Sequence, residues 1–135
     1  MKTFRYWRAA QAAFFGIAMA GSVGLARADI NNYEFQLAEK AVKAGPDRII
    51  TVRLINKATG KPVSDAVIFA TRLDMAPDGM KEMTTKLTPM AGVEPGTYRF
   101  KANLSMAGGW QLSLGAKVQG ETGTVENKIV IRAEK

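Results

Sequence analysis

The sequence predicts an all-β fold, an immunoglobulin-like antiparallel β-sandwich of six or seven strands. Three observations predict it. Apolar and polar residues alternate with period two in six separate segments. Glycine- and proline-bearing turns part these segments, roughly every eight to twelve residues. No segment of the region after the leader sustains a helical period, and only LAEKAVKAG, Leu37 to Gly45, is ambiguous between helix and strand.

The segments run in order. Tyr33, Phe35 and Leu37 alternate with Glu34 and Gln36, and Ile50, Val52 and Leu54 alternate with Thr51 and Arg53. Val67, Phe69 and Leu73 share one parity. Tyr98, Phe100 and Leu104 alternate with Arg99, Lys101 and Asn103. Trp110, Leu112, Leu114 and Val118 alternate with Gln111, Ser113 and Lys117, and Ile129 and Ile131 flank Val130 between Lys128 and Arg132. The separators are AGPD at Ala44, NKATGKPVSD from Asn56, APDG from Ala76, EPG from Glu94 and QGETGT from Gln119. APDG has proline and glycine where a type I turn takes them. Two facing sheets would bury Phe69, Tyr98, Phe100 and Trp110 with the aliphatic residues between them. A small barrel is the alternative closure.

The first 28 residues read as an address. Lys2, Arg5 and Arg8 precede an apolar stretch from Ala9 to about Leu25, and Ala26-Arg27-Ala28 is a small-residue cleavage site. Residues 1–28 are therefore expected to be a cleavable secretory signal peptide, with a single domain over 29–135. Membrane association is expected only if the leader is kept as an anchor. The location expected is periplasmic, or otherwise exported.

Composition excludes several function classes. The formal charge is +7, but four of the nineteen basic residues lie in the leader, leaving fifteen against twelve acidic residues. Those charges are interspersed, and no basic stripe with interleaved aromatics appears, so no nucleic-acid partner is expected. The chain has no cysteine and no histidine. Thiol nucleophiles, zinc clusters and iron–sulfur centres therefore have no ligands. No phosphate-binding or nucleophile-elbow motif is present. Asp74, Asp78, Glu82 and Glu94 sit near turns without an acid–base partner. An enzyme is not expected.

Methionine is the residue type that stands out. LDMAPDGMKEMTTKLTPM carries Met75, Met80, Met83 and Met90, and LSMAGGW adds Met106. One reading is packing: methionine fills irregular gaps, and Met75 and Met106 have the parity of core residues in their segments. The other is chemistry. Thioethers are soft donors that suit Cu(I), need no deprotonation and form no disulfide outside the cytoplasm. In that reading the APDG turn folds Met75 back toward Met80, and Trp110 lids the ion by cation–π contact.

G-K-P-V-S-D-A-V-I at Gly60 to Ile68, the methionine-rich turn, P-G-T-Y-R-F at Pro95 to Phe100 and S-M-A-G-G-W-Q-L at Ser105 to Leu112 together resemble the YtkA-like family, related to the FixH-like proteins. The resemblance implies an extracytoplasmic β-sandwich associated with copper handling or with assembly of copper-containing respiratory oxidases. It implies metal ligation at Met75, Met80, Met83, Met90 and Met106, with Trp110 in the place of the family's late tryptophan. Metal-binding members often add histidine, and its absence here points to Cu(I). The implied partners are a copper transporter, an efflux component or an oxidase assembly partner, and the implied role is that of chaperone, buffer or assembly factor. A metal-free structural or protein-interaction module of the cell envelope is the competing function.

Overall fold

The computed structural model describes residues 29–135. The signal-peptide expectation falls on residues 1–28 and lies outside them. Ten strands are present among the described residues. β1 is Tyr33–Leu37, β2 Ala41–Lys43, β3 Gly45–Asn56, β4 Lys61–Pro62 and β5 Ala66–Met75. β6 is Met80–Thr85, β7 Thr88–Met90, β8 Thr97–Leu104, β9 Gly108–Val118 and β10 Val125–Glu134. Seven have five residues or more, as expected for the sandwich. The other three are short edge or connecting pieces.

They form two sheets, one ordered β1-β3-β8-β7 with β4 also paired to β3, the other β2-β10-β9-β5-β6. This is an immunoglobulin-like all-β sandwich. All pairings are antiparallel except β2 with β10. The ambiguous LAEKAVKAG segment is thereby resolved. β1 ends at Leu37, and Ala41–Lys43 pairs in parallel with Arg132–Glu134.

The inward rows follow from period-two alternation. Ile50, Val52 and Leu54 of β3 face the gap with Phe100, Ala102 and Leu104 of β8. Opposite them lie Trp110, Leu112, Leu114 and Ala116 of β9, with Leu73 and Met75 of β5 and Ile131 of β10. Trp110, Leu73, Met75, Leu104, Leu112 and Ile131 are fully enclosed. Tyr98 is only half-buried. Its ring meets Phe35 edge-on at 6.2 Å, and its hydroxyl donates to the Val63 carbonyl at 2.7 Å and accepts from the Ala66 N–H at 3.2 Å.

Two residues expected in the core are not there. Phe69 is 55% exposed. A bulge between Ile68 and Ala70 inserts one residue against β9, so Ala66 and Ile68 stand opposite Val118 and Ala116, whereas Leu73 stands opposite Leu112. The inward parity thus switches from even to odd within β5. Phe69 is the residue at which it switches, and its ring lies over Gly115: a Cβ there would sit 3.2 Å from the ring edge. Met106 is 41% exposed. It lies past the end of β8, in the bend that carries the chain to the other sheet, where strand parity no longer applies.

The candidate methionine site

β5 reaches its last residue, Met75, at the end of the sandwich where β8 stops and β9 starts. A short 3-10 turn, Ala76–Asp78, then reverses the chain. Pro77 supplies the fixed φ for its first turn, and Gly79 closes it at φ 78° in the left-handed region, its N–H donating to the Ala76 carbonyl at 2.8 Å. β6 follows, and Met80 comes to rest directly across from Met75. The tight turn therefore does what APDG predicted. It converts a five-residue separation into a cross-strand pair.

Carboxylates hold the turn in place. Asp74 is buried. It accepts from the Arg72 guanidinium at 2.7 Å and from the Ala76 N–H at 2.9 Å. Arg72 also donates to the Lys81 carbonyl at 2.9 Å, tying β6 to β5. Asp78 accepts from the Gly109 N–H at 3.3 Å, which fastens the turn to the start of β9. Gly108 makes the close approach workable. Its φ is +139°, and a Cβ on it would run into the Asp78 carboxylate and stand 2.9 Å from the Met75 methyl. Pro77 is as close to Gly109, 3.0 Å from where a Cβ would be.

These contacts place three methionines at one end of the sandwich. Met75 is fully buried, Met80 is half-buried against the core, and Met106 is two residues before the glycine that Met75 touches. Trp110 is fully buried beside them in sequence, and its indole N–H donates to the Met106 carbonyl at 3.0 Å. The tryptophan thus fixes the Met106 backbone and belongs to the core.

Of the other two methionines, Met83 stays near this end on β6 and Met90 does not. Lys81, Glu82 and Met83 bulge out between Thr84, opposite Asp74, and Met80, opposite Met75. Met83 is exposed there. Met90 belongs to the facing sheet, across from Arg99 on β8. Arg99 is five residues before Leu104, so Met90 is level with a point about 17 Å along the strand from the methionine end.

The arrangement offers soft donors. Among the described residues no three His, Cys, Asp or Glu side chains converge as a metal-binding group. Sequence reasoning passed over Asp74, Asp78 and the Gly108-Gly109 pair. An aspartate two residues before the N–H it accepts from is an Asx turn, legible in D-M-A. Nothing along the chain announces that the glycine pair receives this turn.

The YtkA-like family model matches residues 27–115 of the chain. No curated protein matches it. Among solved structures, the chain is similar to a Lin-41 filamin domain at 22% identity, over 70% of this chain and 90% of that one, with a TM-score of 0.42. It is also similar to the ZirS C-terminal domain at 11% identity, over 95% of this chain and 88% of that one, with a TM-score of 0.48.

Proposed function

Since the chain belongs to the YtkA-like family, we propose that it is an exported, periplasmic protein that holds Cu(I) through methionine thioethers. Its role in this reading is that of chaperone, buffer or copper-oxidase assembly factor. The observation that supports the reading is the placement of Met75 and Met80 opposite each other, on a turn pinned to Gly109, with Met106 two residues before Gly108 in the chain.

The donor chemistry fits the ion. Cu(I) accepts few, soft ligands, and thioethers remain competent at any pH because they carry no proton to lose. The copper is cargo. Met75 supplies a donor on a rigid strand, and the half-buried Met80 and exposed Met106 supply donors that an incoming ligand can reach. The receiving partner would be a copper transporter, an efflux component or an oxidase assembly protein.

Competition against a Cu(I) chelator tests the proposal. Met80→Leu and Met106→Leu should each weaken binding at least about tenfold, the scale seen when even a supporting group of a metal site is lost. Met90→Leu should leave it unchanged. The absence of competition at micromolar protein, or an unaltered affinity in the Met80→Leu/Met106→Leu double variant, would sink the copper reading.

A further inference from the structure

β5 is paired along its whole length on one side only. β9 matches it from Ala66 to Asp74. β6 matches it only at Leu73, Asp74 and Met75, and then leaves for the other sheet as β7. At the near end, the Ala66 N–H is capped by the Tyr98 hydroxyl. Between these limits, Val67 to Arg72 presents a strand edge to which no other strand pairs among the described residues. Six residues extend for about 20 Å.

A slot runs beside this edge. Ile68 to Thr71 of β5 form one wall, with the Phe69 ring turned over Gly115, and Pro89, Met90, Tyr98 and Phe100 of the facing sheet form the other. Val67 and Phe69, 61% and 55% exposed, are among the most exposed large apolar side chains of the described chain. Arg99 is the one formally charged residue lining the slot, and Lys101 is two residues further along β8.

We infer that this edge takes up an extended segment of a partner protein as an added strand, its apolar side chains entering the slot and an acidic residue meeting Arg99. Three features select that occupant. Free backbone N–H and C=O groups along an edge are satisfied by an extended chain and by little else. The bulge at Phe69 breaks the flat register that a second folded copy would need for edge-to-edge pairing. A single flexible strand can follow it. The cationic rim selects acidic character. This surface is separate from the methionine end and does not depend on copper.

The probe is an eight-residue peptide alternating valine with threonine and carrying one central glutamate, titrated into the 15N-labelled exported protein. The amides of Val67 to Arg72 should shift and their hydrogen exchange should slow. Replacing the glutamate by lysine should weaken binding about threefold, as for an exposed ion pair. Arg99→Glu should reverse that preference, which a merely structural change would not do. Of the two peptides methylated on alternate backbone nitrogens, the one whose edge-facing N–H groups are blocked should not bind and the other should. Edge amides that stay unmoved at millimolar peptide would overturn the inference, as would equal binding of both alternately methylated peptides. A protein that is already dimeric in sedimentation, with these amides protected before peptide is added, would also overturn it and assign the edge to a second copy.

Discussion

Gly108→Ala is the substitution that probes the methionine end most directly. Two costs can be worked from the structure. A φ of +139° is readily adopted only by glycine, and forcing an L-residue there costs about 1–3 kcal/mol. The new methyl would also displace the Asp78 carboxylate and crowd the Met75 methyl. Losing the Asp78 bond to the Gly109 N–H adds about 1 kcal/mol. The sum, about 2–4 kcal/mol, lowers the melting temperature of a domain this size by about 10–20 °C. Gly60→Ala is the control. Gly60 also has a positive φ, +75°, but nothing lies within 4 Å of a Cβ there, so about 1 kcal/mol of backbone strain is all it should show. Adding Asp78→Ala to Gly108→Ala should recover part of the loss, with a coupling of at least about 0.5 kcal/mol. Thermal and urea unfolding by circular dichroism measure all five proteins: the parent, Gly108→Ala, Asp78→Ala, their double variant and Gly60→Ala. If Gly108→Ala costs no more than Gly60→Ala, the close packing of the turn on β9 is refuted, and the route that brings Met75 to Met106 fails with it.

Trp110→Ala should cost about 3–5 kcal/mol in urea unfolding, because the side chain is fully enclosed and its N–H is hydrogen-bonded; a loss under 1 kcal/mol would refute its core role. Burial holds the Tyr98 phenol above its ordinary value near 10, and Tyr33 shifts the same way. The folded state therefore keeps these protons when the unfolded state releases them, so this contribution is intact below about pH 10 and is lost as pH rises through the folded values. Tyr98→Phe should lose about 1 kcal/mol at neutral pH and show a shallower alkaline decline; an unchanged alkaline limb would assign that decline to other groups. If the leader is a signal peptide, mass spectrometry of the mature protein should find Asp29 at the N-terminus; an intact leader would make it an anchor.

Much of the fold was legible because strand alternation is local. Ile50, Val52 and Leu54, or Trp110, Leu112 and Leu114, announce an inward face without any knowledge of their partners, and they are buried as read. Failure came where the alternation is interrupted by something non-local. Val67, Phe69 and Leu73 share a parity along the chain, yet the bulge places Leu73 inside and Phe69 outside. A bulge is defined by a count of two residues against one on another strand. That other strand, β9, begins 39 residues after Phe69, so β5 alone cannot reveal it. The exposed ring has its own signal in hindsight, since Gly115 on β9 leaves bare backbone for an aromatic to cover. Ala41–Lys43 was ambiguous for a related reason. Three residues are too few for any period, and its strand character comes from pairing with Arg132–Glu134 at the far end of the chain.

The methionines show the same division between spacing and register. Met80 and Met83, three apart, would be neighbours on a helix. On β6 they are separated by the start of a bulge, and the residue beside Met80 is Met75. Met90, seven residues beyond Met83, is in the other sheet, whereas Met106, thirty-one beyond Met75, is two residues from the glycine that Met75 touches. Proximity at this end is therefore set by three local devices: the left-handed Gly79, the Asp78 bond to Gly109 and the missing side chain of Gly108. None of them carries sulfur. A perturbation at any of the three should accordingly change what the thioethers can do together while leaving every methionine in place. That separates a site made by the fold from a chance abundance of methionine in the sequence. In the first case, Cu(I) affinity should fall in Gly108→Ala protein that is still folded. In the second, affinity should follow methionine count alone and stay the same.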